Sequence, residues 1–293
     1  MGAGRLARSM LPALARAGYP VAAIAARSLA AARAAARPVR GVRATASLAA
    51  ATSQARMLLV AVSDPAIRPV AERLAALSGI DWDGRIVLHH AGTLGLEPLR
   101  PLARCGAAIG ILHPLQALGG PAAGSLLAGS RALVDGDRAA AAAARRLARD
   151  LGLVPLVFPR PPRAADRVAY HAAAAIAAND VVALLSLGVE LFAAIGFDRR
   201  TAIRALTPLV RGVVAQIEHG GLRAALTGPA ARGDAATLIA HLRRLAPLGA
   251  EDAEAHRLLS RRLARLARDE ALLAPADLRR LLRATSRPPR RRR

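Results

Sequence analysis

The chain has 293 residues, enough for two domains of ordinary size or one large one. Apolar residues make up 54% of it and aromatic residues only 2%, which argues against a disordered chain and predicts a core of Ala, Leu, Val and Ile. All 43 basic residues are arginine and give a net charge of +23, but they are dispersed along the helical stretches, so a solvated surface is favoured over a nucleic-acid-binding one.

Cysteine content and hydropathy limit where in the cell the protein is expected to reside. Cys105 is the only cysteine, so the chain holds no internal disulfide, and we predict a cytoplasmic protein. The longest uncharged stretch, residues 106–130, is broken by proline and glycine and cannot cross a bilayer as a plain helix. We expect no membrane attachment. Nine arginines precede the first acidic residue, Asp64, which is also typical of a transit peptide, but the glycine pattern at the start favours a folded segment.

The first residues, MGAGRLA, contain a glycine-rich turn. Gly2, Gly4 and Ala7 fit the pattern G-x-G-x-x-G/A of dinucleotide-binding turns. Gly2 would allow a tight turn, Gly4 would let the backbone approach a pyrophosphate, and Ala7 would allow close packing of helix on sheet. The helix that follows would present free N–H groups to the phosphates. Such a turn normally follows a buried strand, and the sequence shows no strand ahead of it.

Short apolar runs then alternate with helical stretches up to about residue 160, which predicts βα units and a mostly parallel sheet. The predicted strands are Val21–Ala26, Met57–Val62, Ile86–His89, Ala107–Leu112 and Leu153–Phe158, with weaker candidates at Val42–Ala46 and Ala132–Val134. The predicted helices between them are Leu29–Ala36, Ala66–Ala76 and Arg138–Leu151.

The end of the first predicted strand bears on the choice of dinucleotide. A site that prefers NAD places a carboxylate ~20 residues after the glycines, where it binds the ribose hydroxyls. Arg27 and Ser28 occupy that place, and no carboxylate precedes Asp64. A guanidinium beside a hydroxyl suits a 2′-phosphate, so we predict NADP(H). The alternative is that Arg27 is an ordinary surface arginine.

Prolines mark a domain boundary in PRPPRAAD, residues 159–166, and no strand pattern follows it. Gly196 is a predicted C-cap and Asp198 a predicted N-cap. We therefore predict an α/β domain over residues 1–160, a helical domain over 161–286 and a disordered basic tail over 287–293. The predicted helices of the second domain are Asp166–Ile195, Arg199–Glu218, Ala235–Ala246, Ala250–Asp269 and Pro275–Ala284.

Polar and small residues follow the predicted strands, where open α/β sheets bind their ligands. Ser63 and Gly92 stand at two of these ends and are predicted, with Gly2, Gly4, Arg27 and Ser28, to contact the cofactor. His113 stands at a third end and is predicted to contact the substrate, although it could also merely fix the turn before Pro114.

Four stretches resemble a family of bacterial Rossmann-like proteins with a C-terminal domain of unknown function, distant relatives of ketopantoate reductase and pyrroline-5-carboxylate reductase. They are VLHHAGTLGLEPL, IGILHPLQAL, AYHAAAAIAAND and LTGPAARGDAATLIAHL. The resemblance implies a Rossmann-like domain, a helical domain of the phosphogluconate dehydrogenase C-terminal type, and NADP-dependent oxidoreductase activity.

The chain departs from this family in three places. The strand before the glycines is missing, and we expect either an upstream start codon, which we favour, or an impaired copy. The family's His-Thr-Ser-Gly loop is His89-His90-Ala91-Gly92 here, and Asp180 stands where the family has a tyrosine.

The long helix carries the residues that we predict to act on the substrate. His171 and Asn179 are eight residues apart, about 80° around a helix, so both could reach one ligand. Hydride transfer to a carbonyl or imine needs a proton donor, and histidine ionises near neutrality. We therefore predict His171 and Asn179 as catalytic and Tyr170 as substrate-binding; the alternative is that His171 lies in the helical core. No metal-ligand spacing is present, so we predict no metal site.

These observations predict an NADP(H)-dependent oxidoreductase acting on a small carbonyl or imine. The alternative is a protein that binds a nucleotide without turnover, or an impaired family member. The apolar helix at residues 166–195 predicts a homodimer formed through the helical domain. We expect the active cleft at the domain junction, where His171 and Asn179 would approach Gly92 and His113.

Overall fold

A computed structural model describes residues 1–118 and 125–286. The chain divides into two compact units, Met1–Ala178 and the residues from Asn179 onward. The predicted domain limits at residues 160 and 161 stay a prediction, and the predicted basic tail, 287–293, lies outside the described residues.

The first unit alternates strands and helices. Its strands are β1 (Ala23–Ala25), β2 (Arg43–Thr45), β3 (Met57–Val60), β4 (Ile86–His89), β5 (Ala108–Pro114), β6 (Arg131–Gly136) and β7 (Val154–Leu156). Its helices are α1 (Arg5–Arg16), α2 (Leu29–Ala36), α3 (Leu48–Thr52), α4 (Asp64–Ala75), α5 (Arg100–Ala103) and α6 (Arg138–Asp150), with 3-10 turns at Glu97–Leu99 and Ser125–Leu127.

The strands form two separate sheets. Five of them pair in the order β3-β4-β5-β6-β7, and β1 pairs in parallel with β2 alone. All contacts in the larger sheet are parallel except that between β5 and β6. The prediction of an α/β fold with a mostly parallel sheet is confirmed. Among the described residues no strand precedes α1, and the sheet is divided at the place where a strand before the glycine turn would lie.

Apolar side chains cover both faces of the larger sheet. One cluster packs α1 and α6 on it, through residues such as Met10, Leu14 and Leu147. The other packs α4 and α5 on the opposite face, through residues such as Ile67 and Leu102. Burial on both faces explains why β3, β4 and β5 have uninterrupted apolar sequences rather than alternating ones.

The second unit is helical among the described residues. Helix α7 (Ala164–Ala193) begins in the first unit and continues into the second, and the helices after it are α8 (Arg199–Ala224), α9 (Ala235–Leu245), α10 (Ala250–Asp269) and α11 (Pro275–Ala284). The Asp198 carboxylate accepts from Thr201 N at 3.0 Å and that of Asp234 from Thr237 N at 3.1 Å, so both act as N-caps. Gly196 ends α7 with φ +97°.

Helix α7 is the one helix in the described ranges that is long and apolar enough to cross a bilayer by length and composition. Its most apolar 18-residue stretch has a mean hydropathy of 1.8, and none of that stretch is buried within the chain. Some helices of soluble proteins meet the same criteria. Length and composition alone therefore do not identify α7 as a membrane span.

The first turns of α7 are anchored by a buried ion pair. Arg167 is 6% exposed, bonds to Asp135 at the end of β6, and lies 5.5 Å from the centroid of the Phe158 ring.

We expect Arg167→Met to lower the free energy of unfolding by about 2–3 kcal/mol, because Asp135 loses its counter-charge while retaining some contact with water. Urea unfolding measures this. Arg160→Met, which removes an exposed ion pair with Asp166, is the control and should change little; equal effects of the two would contradict the prediction.

Candidate nucleotide and substrate site

The glycine turn lies at the carboxyl end of β1. Gly2 donates its N–H to Ala25 O at 2.8 Å and has φ +100°. A Cβ on Gly2 would lie 2.1 Å from the carbonyl oxygen of Ala61, just beyond β3, so only glycine fits there. Gly4 is the N-cap of α1 and has open space where a Cβ would be. The turn therefore joins the ends of two strands to the start of a helix, the geometry that favours anion binding.

Arg27 and Ser28 follow β1 directly. The Ser28 hydroxyl accepts from Ala31 N at 3.2 Å as the N-cap of α2, and its proton remains free to bond elsewhere. The Arg27 side chain is exposed. The first turns of α1 and α2 contain no acidic residue. A guanidinium, a hydroxyl and two helix N-termini thus border the turn, and this donor set fits phosphate groups.

Ser63 stands at the end of β3 as the N-cap of α4. Its side chain is exposed and makes no capping hydrogen bond. Ala61, two residues earlier, lies against Gly2, and the contact of Ser63 with the cofactor stays a prediction.

Gly92, His113 and Tyr170 come together within the first unit. A Cβ on Gly92 would lie 3.0 Å from ring atoms of His113, so the imidazole lies directly against this glycine. The Tyr170 hydroxyl lies 3.0 Å from His113 Nδ1, and the two rings meet edge to face with centroids 5.6 Å apart. Phe158 also packs edge to face against Tyr170, with ring centroids 6.0 Å apart. His113 at the end of β5 and Tyr170 at the start of α7 therefore form one polar cluster beside Gly92.

Burial sets the protonation states of this cluster. It lowers the pKa of His113 to about 4, with a smaller contribution from the neighbouring charge of His171, and it raises the pKa of Tyr170 to about 12. At neutral pH the imidazole is uncharged and the phenol is protonated. This hydrogen-bonded pair can hold a carbonyl or imine group without introducing a charge.

The structure shows the surroundings of His171 more fully than those of Asn179. The His171 side chain is exposed and acts electrostatically on His113, so it does not lie in the core of the first unit. Asn179 is also exposed and begins the second unit. Their predicted catalytic roles stay predictions.

Sequence reasoning missed the roles of the two adjacent histidines at the end of β4. His89 is fully buried; its Nδ1 accepts from Ala91 N at 3.1 Å, so its Nε2 carries a proton and donates to Gly95 O at 2.8 Å. The His90 ring bonds through Nδ1 to Leu112 O. These bonds fix the loop that carries Gly92. The doubled histidine is visible in the sequence, but nothing local shows that both rings turn inward.

The family comparisons agree with this architecture. A model of a Rossmann-like domain matches residues 1–114, and one of a domain of unknown function, DUF2520, matches residues 130–263. The chain contains a Rossmann-like domain and a DUF2520 domain. The DUF2520 match begins at β6 and extends into α10, so the residues of α7 discussed above belong to it.

Several solved structures share the fold of this Rossmann-like DUF2520 protein. A Bacteroides fragilis protein, provisionally named an NADP oxidoreductase, has 21% identity and a TM-score of 0.73 over 90% of this chain and 96% of its own. A Thermotoga maritima protein has 24% identity and a TM-score of 0.68 over 92% and 98%. A Myxococcus stipitatus imine reductase in complex with NADP+ has 16% identity and a TM-score of 0.58 over 96% and 98%. No curated protein sequence matches significantly. At these identities the likeness shows the fold.

No group of three or more metal-ligating side chains occurs in the described parts of the chain, 1–118 and 125–286.

The buried histidines predict a pH dependence of stability. Burial lowers the pKa of His90 to about 3 and that of His113 to about 4, against a usual value of 6.5. Because the unfolded chain binds these protons first, the stabilisation is complete above pH 6.5 and is lost as the pH falls toward 4. Urea unfolding between pH 7 and 4.5 should therefore show a falling free energy of unfolding. His90→Gln should flatten the curve, whereas the exposed control His219→Gln should not; a curve equally steep in His90→Gln would contradict the prediction.

Proposed function

We propose that the protein is an NADP(H)-dependent oxidoreductase that transfers hydride to or from a small carbonyl or imine substrate. One observation carries the proposal. A glycine turn at a helix N-terminus is seated on the ends of β1 and β3, beside Arg27 and Ser28 and with no acidic residue at the ribose position. Structural neighbours named as an NADP oxidoreductase and as imine reductases support it at the level of the fold.

Each residue at the nucleotide end has a separate role in this proposal. The N–H groups at the start of α1 would hold the pyrophosphate, and Arg27 and Ser28 the 2′-phosphate. Ser63 and Gly92 would contact the cofactor between the glycine turn and His113. Bound NADPH would supply the hydride, and the protein would supply orientation and a proton.

At the substrate end, the uncharged His113–Tyr170 pair would hold the heteroatom that gains or loses the proton. His171 is the proposed proton donor, since it adjoins Tyr170 and its exposed ring can exchange protons with water. The catalytic role of Asn179, in the second unit, stays a prediction. A helix-borne proton donor opposite a nicotinamide would complete the reaction without a metal ion.

The decisive experiment is titration of the purified protein with NADPH and NADH, followed by a screen of keto acids and imines for NADPH oxidation. Binding with turnover supports the proposal. Binding without turnover in the screen would favour a nucleotide-binding protein without catalysis. Failure of the folded protein to bind either dinucleotide would overturn both. Gly2→Ala, whose Cβ would clash with Ala61, should abolish binding, and Gly212→Ala, in open space on α8, is the control.

We also propose that two copies associate through the helical region. Residues 168–198 contain no arginine and carry only Asp180, Glu190 and Asp198 as acidic groups, within a chain of net charge +23. Several of their large apolar side chains are exposed, Val182 by 69%, and others are half-buried. Arginines of α8, such as Arg204 and Arg211, could meet these acids across a two-fold interface. A cytoplasmic location stays a prediction.

We expect light scattering to show a dimer at micromolar concentration. Val182→Asp should give a monomer, because the charge would be buried in the interface without a partner. Leu258→Asp, an equally polar change at an exposed residue of α10, is the control and should leave the dimer intact. A wild-type monomer across this range, or partition of the wild type into lipid vesicles instead, would contradict the prediction.

A further inference from the structure

Two histidines meet where α9 and α10 pack against each other. His241 stands in α9 and His256 in α10, and their ring centroids are 5.5 Å apart with the ring planes tilted by 51°. Both belong to the second unit, whereas the glycine turn and the His113–Tyr170 pair belong to the first. The proposed function uses neither histidine.

Buried residues one turn away hold the backbone of both histidines in place. In α9, the buried Leu238 and Leu245 stand three residues before and four residues after His241. In α10, the buried Ser260 stands four residues after His256. Because residues three or four apart share one face of a helix, both histidines stand at the border of the faces that the two helices bury. The His241 side chain is itself exposed, so its ring can turn.

The His256 ring lacks a partner for its buried nitrogen. Its Nε2 is enclosed by protein atoms and has no hydrogen-bond partner among the described residues. Burial lowers the pKa of His256, with a smaller contribution from the charge of His241, so the ring is uncharged at neutral pH. The uncharged ring is the form in which imidazole binds metal ions, and a buried nitrogen without a partner costs free energy. A ligand that bonds to this nitrogen would therefore be favoured.

The separation of the two rings matches the distance that a shared metal ion imposes. A histidine nitrogen lies about 2.0–2.1 Å from Zn²⁺, which puts the ring centroid about 3.2 Å from the ion. Two imidazoles at a tetrahedral angle then have centroids about 5.2 Å apart. The observed separation is 5.5 Å. Turning the rings, with no large shift of the helices, would let both nitrogens reach one ion.

We propose that His241 and His256 form a binding site for one divalent transition-metal ion such as Zn²⁺, whose remaining ligands are water molecules. Imidazole nitrogens suit zinc, copper and nickel, whereas Mg²⁺ and Ca²⁺ take oxygen ligands. No third histidine, cysteine or acidic side chain joins the pair within residues 1–118 and 125–286, so the ion is exchangeable and less tightly held than in a four-ligand structural site. The sequence predicts no metal site because the two ligands stand on different helices, without a short spacing between them.

A bound ion would link α9 to α10 and stabilise the folded helical unit, because the unfolded chain does not hold the two rings together. We therefore expect saturating Zn²⁺ to raise the midpoint of thermal unfolding of the whole protein by about 2 °C or more. A chelator should reverse this rise, and Mg²⁺ should not cause it. The same rise in a variant that lacks both histidines would contradict the proposal.

Calorimetric titration of the metal-free protein with Zn²⁺ tests which residues bind the ion. His241→Gln and His256→Gln should each weaken binding at least about ten-fold, since the loss of a mere outer-shell partner costs 10- to 100-fold. The double variant should lose little more than either single variant, because one imidazole does not hold the ion alone. His219→Gln, at an exposed histidine of α8, is the control and should bind Zn²⁺ as the wild type does.

Nitrogen NMR of the histidine side chains identifies the ligands in the unaltered protein, so the test does not depend on how well the variants fold. The ring signals of His241 and His256 should change together, at the same concentration of Zn²⁺. A change at one ring alone, equal affinities of the wild type and the double variant, or no binding at millimolar Zn²⁺ would each overturn the proposal. None of these measurements involves a dinucleotide, so the proposed function stands or falls separately.

Discussion

We expect the Arg27→Asp variant to bind NADH more tightly than NADPH, reversing the preference of the wild type. The guanidinium would lose its charge-assisted bonds to the 2′-phosphate, worth ~10- to 100-fold in affinity. The new carboxylate would repel that phosphate and accept hydrogen bonds from the ribose hydroxyls of NADH. Fluorescence titration of the wild type and the variant with both dinucleotides gives the four dissociation constants.

A matched control lies on the helix that follows. Arg33 is an exposed arginine of α2, and Arg33→Asp makes the same change of charge away from the Ser28 cap. It should weaken the binding of both dinucleotides slightly and equally, because it changes the overall electrostatic field of the protein. Arg27 has no role in cofactor choice if the two variants behave alike, or if the wild type binds NADPH and NADH equally.

The strand ends illustrate what the sequence could predict. Residues after parallel strands meet at one edge of a sheet whatever the packing details, so Gly2, Ser63 and Gly92 could be assigned to that edge from the pattern alone. The hydrogen bond between His113 and Tyr170 could not, because 57 residues separate them and the contact depends on where α7 begins over the sheet. Long-range side-chain pairing has no local counterpart in the sequence.

Local chemistry explains which helix boundaries were predicted. Helices α2, α10 and α11 have the predicted limits, with Ser28 and Pro275 marking two of the starts. The predicted end of α8 at Glu218 lies just before Gly221, whose φ of +68° and ψ of −172° are not helical, so the stretch up to Ala224 lies beyond a kink. The short α3 was not predicted, since its five residues are too few to show a helical period.

The divided sheet was predictable only in part. The glycine pattern is typical of a turn that follows a strand, and the described residues show none before α1. The sequence could not show that a cavity would remain between β1 and β3, with His90 in its lining. This depends on packing, since side chains of α1 and α3 line the same cavity.

We expect His171→Gln to lower kcat by ~10²- to 10⁴-fold for whichever carbonyl or imine the protein reduces, while the dissociation constant of NADPH stays unchanged. Glutamine keeps a hydrogen-bonding side chain at this exposed position but cannot deliver a proton. Tyr170→Phe should act differently, raising KM more than it lowers kcat, because it removes a group that holds the substrate against His113. Steady-state kinetics over a range of pH measures both effects.

The pH profile separates a proton donor from a residue that merely shapes the site. The wild-type profile of kcat should show an ionisation that disappears in His171→Gln and persists in Tyr170→Phe. His219→Gln, at an exposed histidine of α8, should leave both kcat and its pH profile unchanged. Wild-type turnover in His171→Gln together with a large loss of kcat in Tyr170→Phe would remove His171 as the donor. The proton would then come from the Tyr170 hydroxyl, which its raised pKa keeps protonated and which His113 holds at 3.0 Å.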